Sequence, residues 1–138
     1  MQFQAFNKIL IEDQKIEKYQ VGDVVLGYQF RIRYPSYRGT FLSCIEKLAF
    51  AVDDEEIDPS QIVFCLNGRE YLIDELKDQY KAYWFVLDYA VIRIYSDREL
   101  SKGTHRVTVD MLHRIPYTGY EGECLKLPSV VTKELEFE

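Results

Sequence analysis

The chain is poor in the residues from which metal and catalytic centres are usually built. Two histidines stand in 138 residues, too few for most metal sites unless carboxylates assist. The three cysteines, Cys44, Cys65 and Cys124, are widely spaced, with no CxxC pair and no histidine at metal-finger spacing. Neither a disulfide framework nor a structural zinc is indicated, and free buried thiols are expected. There is no GxSxG elbow, no glycine-rich phosphate loop and no HExxH, so the hydrolase, nucleotide-binding and zincin readings lose their anchors. The acidic run 53–56 lacks the ligand spacing and the glycine of an EF-hand loop and reads as a solvated hairpin tip. Basic residues number 17 against 23 acidic ones, a net charge of −6, which leaves no surplus for a nucleic-acid partner. No run reaches the roughly 18 apolar residues of a membrane span. The first fifteen residues carry no positive stretch followed by an apolar one, so no signal peptide and a cytoplasmic location are expected.

What is present is a core. Hydrophobic residues make up 47% of the chain, including eleven Tyr and eight Phe, and one domain over residues 1–138 is expected, without repeats or linkers. Period-two alternation dominates. Leu26, Tyr28, Phe30, Ile32 and Tyr34 share one face of a strand while Gln29, Arg31 and Arg33 take the other, and Pro35 stops it because it has no N–H for a ladder. Residues 35–40 read as a loop and 42–52 as the next strand, closing at the turn pair Asp53-Asp54. Residues 62–66 and 69–72 flank Asn67-Gly68, both tolerant of positive φ, which predicts a hairpin. Ile73, Leu76 and Tyr80 fall at helical spacing, the one short helix expected. Residues 84–95 and 100–111 read as strands, 116–128 as a long loop, and 130–137 as a last strand.

Seven or eight strands with at most one helix predict an all-β, antiparallel two-sheet β-sandwich, immunoglobulin-like or jelly-roll-like. His105 and His113 lie on one strand face, roughly 26 Å apart if the strand is straight, too far to share an ion. Each is read as locally bonded, and no residue is assigned a catalytic role. The remaining chemistry is aromatic and basic: Tyr34, Tyr37 and Arg38 in one loop, Arg114, Tyr117 and Tyr120 in another. Tyr and Arg dominate interface hot spots, and tyrosine rings also stack on sugars. From the residues alone the reading is an interaction domain, with a stand-alone carbohydrate-binding or protein-interaction sandwich module as the alternative.

The block Gly27-Tyr28-Gln29-Phe30-Arg31-Ile32-Arg33-Tyr34-Pro35-Ser36-Tyr37-Arg38-Gly39-Thr40-Phe41-Leu42-Ser43-Cys44-Ile45-Glu46 resembles the β (small) subunit of bacterial C-glycoside deglycosidases. The turn Val52-Asp53-Asp54-Glu55-Glu56-Ile57, the hairpin 64–76, the strand near Trp84 and the strand 100–105 follow in the same order. The resemblance implies a partner: an α subunit similar to sugar-phosphate isomerases, a TIM barrel that carries a divalent metal, typically Mn²⁺, and the catalytic acid and base. It implies no cofactor in this chain. Its reaction class is carbon–carbon cleavage of a 3-oxo-C-glycoside, with this chain completing or covering the partner's site. Tyr34, Tyr37, Arg38, Gly39, Arg114, Tyr117 and Tyr120 are then the candidates for the partner interface or active-site rim, with Tyr37-Arg38-Gly39 the foremost contact. Arg38→Ala is expected to weaken association with such a partner by more than the few tenths of a kcal/mol of an ordinary surface site; titration of the partner against both proteins measures it.

Overall fold

A computed structural model describes residues 10–11, 15–36, 39–96, 100–120 and 123–137, without the side chains of 115–120 and 123–125. The described chain is almost wholly β. Its strands are β1 (Lys15–Val21), β2 (Val24–Arg33), β3 (Thr40–Phe41), β4 (Ile45–Val52), β5 (Glu55–Glu56), β6 (Ile62–Leu66), β7 (Arg69–Leu72), β8 (Tyr83–Trp84), β9 (Tyr89–Tyr95), β10 (Gly103–Tyr120) and β11 (Glu123–Phe137).

Nine strands form one sheet in the order β5-β4-β10-β11-β1-β2-β9-β6-β7, and β3 pairs with β8 in a small second one. The two layers expected from the sequence are the halves of that nine-stranded sheet, folded so that their inner faces meet: Phe30 of β2 packs edge-on against Phe50 of β4, ring centroids 5.8 Å apart. Strand β1 joins the halves. It runs antiparallel to β2 but meets β11 in parallel, through Lys15 opposite Glu136 and Ile16 opposite Phe137. Every other pairing is antiparallel.

The alternation read from the sequence is the alternation of burial. On β2, Tyr28, Phe30 and Ile32 are buried, and Tyr34 just beyond it; on β4, Ile45, Leu48, Phe50 and Val52; on β10, His105, Val107, Val109, Met111 and His113. A slip of one residue would turn each of these sets to solvent, so the core fixes the register. Asn67 and Gly68 adopt positive φ, 52° and 81°, as the hairpin requires. Residues 73–78 form a 3-10 helix rather than an α-helix, started by the Glu75 carboxylate accepting from the Leu72 N–H at 2.7 Å.

Three expectations change. Residues 116–128 are not a long loop: β10 runs on to Tyr120 and β11 begins at Glu123, the two forming one hairpin whose register shifts between Ile115 and Tyr120. Pro128 is tolerated inside β11 because β1 reaches that strand only near its far end, leaving one side of it unpaired at Pro128. Residues 84–95 are not one strand, since a turn separates β8 from β9. Residues 42–44 form a 3-10 turn before β4, so the run 42–52 is strand only from Ile45. Strand β1 carries no alternation by which it could be read. Cys44 and Cys65 are free thiols, and among the described residues no helix is long and apolar enough to cross a membrane.

At Gly27 the backbone of β9 leaves no room for a side chain. A Cβ there would sit 1.9 Å from the Ile94 carbonyl oxygen of β9, and that oxygen is fixed in the ladder with Tyr28 and Ile94 in register. Gly27→Ala is expected to destabilise the fold by about 3 kcal/mol, the upper part of the usual range for overpacking. Chemical denaturation reads it, and an unchanged midpoint would show that the two strands part without cost.

Candidate functional site

The interior has two ends. At one, β2 delivers Tyr34, β10 delivers His113 and β8 delivers Trp84. Tyr34 and His113 are 1% and 0% exposed, and their rings meet edge-on at 5.1 Å. The Tyr34 hydroxyl lies 2.7 Å from His113 Nδ1, and His113 Nε2 lies 3.1 Å from Ser129 Oγ. With the tyrosine donating to Nδ1 and Nε2–H donating to the serine, every group in this buried chain is satisfied by a neutral imidazole. Burial pushes His113 down to about 4, which keeps it neutral.

On this support stands a turn. Residues 85–88 close through the Asp88 N–H donating to the Phe85 carbonyl at 2.9 Å, and the Trp84 indole N–H donates to the Asp88 carbonyl at 2.9 Å. Arg33 donates from Nε to the Val86 carbonyl at 3.1 Å, and the Arg31 guanidinium lies 4.4 Å from the centre of the Tyr89 ring. The polar face of β2 therefore clamps the turn in place. The turn holds apolar side chains in water: Phe85 is 59% and Leu87 76% exposed. Phe41, Tyr83 and Phe85 stack edge to face, with centroids 5.0 and 4.8 Å apart, in a continuous aromatic row.

Gly39 lies beside that row. At Gly39 a Cβ would lie 2.3 Å from the Trp84 carbonyl and 2.8 Å from the Tyr83 ring, so only glycine fits at position 39 against β8. Ser36 and Thr40 flank residues 37–38. Both are buried, yet neither Ser36 Oγ nor Thr40 Oγ1 has a hydrogen-bond partner among the described residues.

Of the residues singled out in the sequence, Tyr34 is a correction. It belongs to the core, because β2 continues its inward alternation one residue past the strand, so it supports the surface instead of contacting a partner. Tyr37 and Arg38 lie outside the described residues. Gly39 is placed against the aromatic row. Arg114 donates to the Ser43 carbonyl at 2.7 Å and lies 3.7 Å from the Glu46 carboxylate, which anchors β10 beside the 3-10 turn of residues 42–44. Tyr117 and Tyr120 fall on the β10 end of the long hairpin, at the same end of the molecule. Sequence reasoning missed Phe41, Phe85 and Leu87. The available signal was the run Tyr83-Trp84-Phe85-Val86-Leu87, in which apolar residues fall on both faces and cannot all be buried by one strand.

The opposite end is closed by His105. Its Nδ1 is 2.6 Å from the Asp53 carboxylate and its Nε2 2.6 Å from the Ser101 carbonyl. Both neighbours only accept, so both ring nitrogens donate and the ring is an imidazolium. Burial works against that charge, but the hydrogen bonds to Asp53 and Ser101 outweigh it and the pKa is raised. Asp53 is held below the usual carboxylate range by the bond from His105 and then by the Arg106 N–H at 2.9 Å. Asp54 pairs with Arg106 at 2.6 Å. The acidic run is thus partly engaged rather than simply solvated. Among the described residues no group of three or more His, Cys, Asp or Glu is arranged to hold a metal ion.

Residues 6–117 match the family of C-glycoside deglycosidase beta subunits. Over 110 residues the chain is 34% identical to a 3'-dehydrocarminate deglycosidase beta subunit of a Microbacterium sp, covering 80% of this chain and 83% of that one. A C-glycoside deglycosidase beta subunit of Eubacterium cellulosolvens is 35% identical over 81 residues, 59% of this chain and 55% of the relative, little more than half its length. One from Arthrobacter globiformis is 31% identical over 94 residues, covering 68% of this chain and 67% of the relative.

The two histidines shape the pH dependence of stability in opposite directions. His105 has a folded pKa above its ordinary 6.5, so its contribution is complete below about pH 6.5 and is lost as pH rises through the folded value. Asp53, lowered from 3.8, contributes above that pH and loses its contribution as pH falls through its folded value. His113, at about 4 against 6.5, takes up a proton only when unfolded across that interval, so stability falls by roughly 3 kcal/mol as pH drops through it. Denaturant midpoints across pH 4–9 are expected to peak near neutrality. His105→Gln should flatten the alkaline side and His113→Gln the acid side between 6.5 and 4; an acid side unchanged in His113→Gln would sink the neutral-histidine assignment.

Proposed function

The chain belongs to the C-glycoside deglycosidase β-subunit family, and from that premise we propose that it is the accessory subunit of a carbon–carbon lyase. The partner is a TIM-barrel α subunit similar to sugar-phosphate isomerases, and the chain docks on it through the end that carries Phe41, Tyr83, Phe85 and Leu87. The observation that carries the reading is the turn 85–88, held by backbone, indole and guanidinium bonds while it displays Phe85 and Leu87 to water. A surface so rigid and so apolar has its ordering cost already met before a partner arrives, as interface anchors do. Two further features support it. Gly39, from the block that carries the family resemblance, lies against the same row, and the buried hydroxyls of Ser36 and Thr40 have no partner among the described residues.

The substrate class is a 3-oxo-C-glycoside, in line with the 3'-dehydrocarminate in one relative's name. The carbonyl at C3 makes the C2 proton acidic. A base removes that proton, the C1–aglycone bond breaks with its electron pair going to the aglycone carbon, and the aglycone is then protonated. The sugar leaves with a C1–C2 double bond, so neither water nor an electron acceptor is consumed. A divalent metal, Mn²⁺, held by the partner supplies charge stabilisation for the enolate oxygen. No described residue group of this chain fits such an ion, and no step is assigned to its side chains. Their part is to cover the partner's site and exclude water from it, which strengthens every electrostatic interaction inside. The stages of this assembly take place in the cytoplasm.

Co-expression with an α subunit of the isomerase-like barrel type, followed by size-exclusion chromatography with light scattering, is expected to give a defined heteromer active on 3-oxo-C-glycosides, with neither chain active alone. Phe85→Asp with Leu87→Asp should weaken association at least 30-fold, about 2 kcal/mol, the threshold of an interface hot spot. The melting temperature of the isolated chain should not change, since both side chains are exposed. A chain that remains monomeric beside the barrel, or a double variant that binds as tightly as the native chain, refutes the docking surface.

A further inference from the structure

Between the tip of the β6–β7 hairpin and the segment that leads into β8 lies a cavity of about 210 Å³, whose polar walls are Asn67, Arg69, Tyr71, Lys81 and Tyr83. It is smaller than the roughly 300–1,000 Å³ of sites that enclose a whole small molecule. Tyr83 belongs to this cavity and to the aromatic row at once, since its ring stacks on Phe41 and Phe85. Asn67, which opens the hairpin turn at φ 52°, donates from its side-chain amide to the Asp88 carboxylate at 3.3 Å. That bond ties the cavity wall to the turn 85–88, so the cavity and the exposed Phe85 and Leu87 are parts of one face.

Two cations line the cavity and, among the described residues, no carboxylate does, in a chain whose net charge is −6. Two surface cations are not by themselves a site. The second observation is how the other arginines are used. Arg31 lies over the Tyr89 ring, Arg33 bonds the Val86 carbonyl, Arg93 pairs with Glu70, Arg106 with Asp54, and Arg114 bonds the Ser43 carbonyl. Arg69 is the one described arginine with no hydrogen bond, ion pair or ring contact among the described residues, and Lys81 has none either. Alternation along β7 puts Glu70 on the opposite face, where Arg93 takes it at 2.8 Å. A guanidinium presents a rigid fork of N–H donors matched to a carboxylate, and this one is left open beside a second cation.

We propose that this cavity seats a carboxylate, the side chain of an aspartate or glutamate on the α subunit, at the rim of the docking face. The inference rests on the docking reading above and adds the polar recognition that an apolar row cannot supply. The carboxylate accepts from the Arg69 fork, with Lys81 as the second positive charge. The rings of Tyr71 and Tyr83 wall the pair from water, where a charge pair is worth more than on open surface. An apolar centre bordered by charge is the ordinary anatomy of an interface, and rim charges steer encounter and select the partner. A free small anion would carry the same charge, but it would leave the adjoining apolar row uncovered, whereas a carboxylate borne on a protein surface brings that cover with it.

Calorimetric titration of the α subunit into the full chain tests the site. Arg69→Glu with Lys81→Glu is expected to weaken association at least tenfold at low salt, and Arg69→Lys, which keeps the charge but loses the fork, several-fold. Added salt should weaken the native pair more than the double variant. Melting temperatures of the isolated variants should not change, because neither side chain has a bond to lose. Changing the exposed acids of the α subunit to lysine one at a time should find a position that loses affinity for the native chain and regains it for the double variant. Undiminished binding by Arg69→Glu with Lys81→Glu, while Phe85→Asp with Leu87→Asp loses it, would overturn the cavity's role and leave the docking face standing. No association at all, or association insensitive to both double variants, would overturn the two together. Saturable micromolar binding of benzoate or inorganic phosphate to the isolated chain, lost in the Arg69→Glu and Lys81→Glu variant, would make the occupant a free anion and overturn the assignment to a partner side chain.

Discussion

The inward face of β10 is the constraint on which the rest of the molecule depends. Five residues in strict alternation, His105, Val107, Val109, Met111 and His113, are all buried, and the three apolar ones between the histidines hold the two halves of the sheet together. A buried imidazole must satisfy two nitrogens, and each histidine does so by reaching outside its own strand: His105 to Asp53 and Ser101, His113 to Tyr34 and Ser129. Those bonds tie the β4–β5 turn to one end of β10 and the start of the 35–40 block to the other. The two rings carry opposite charge states for one reason. His105 faces a carboxylate and a carbonyl, which require two donors, whereas His113 faces a hydroxyl that donates and another that accepts.

The ends that these histidines anchor differ in chemistry, and the difference follows from what each strand leaves exposed. At the His113 end, the arginines of β2 are spent on clamping the turn 85–88, so the surface that emerges is aromatic and aliphatic. At the His105 end the short β5 brings Glu55 and Glu56 to the rim of a cavity whose floor is made by the sheet interior. One end thus presents apolar side chains and the other carboxylates. A single sheet folded on itself makes this separation possible, because the two ends of its interior lie at different points along β10, near His105 and near His113.

Family membership fits this layout at the level at which it is shown. A β subunit needs a surface for a partner more than it needs reacting groups, and the turn 85–88 presents an apolar one. The Gly39 contact with the Trp84 carbonyl explains the glycine of the family-like block in physical terms: any side chain at position 39 would press on the β8 backbone and the Tyr83 ring.

Much of the fold was legible in the sequence by itself. Period-two alternation on β2, β4, β9 and β10 identified the strands and their buried faces, because burying one face of a pleated ribbon needs only local pattern. Asn67-Gly68 and Asp53-Asp54 marked turns whose positive φ values the structure shows. The block 27–46 pointed to the family. Tertiary structure decided what local pattern cannot encode. Tyr34 fitted both the inward alternation of its strand and the loop beyond it, and the histidine 79 positions away holds it in the core. Residues 116–128 lost their loop because the ends of β10 and β11 pair with each other as the two arms of one hairpin. The exposed row of Phe41, Phe85 and Leu87, and the cavity walled by Tyr28 and rimmed by Glu55 and Glu56, exist only where separate strands converge. Side chains brought together across the sheet leave no mark in the order of the chain, whereas alternation along one strand does.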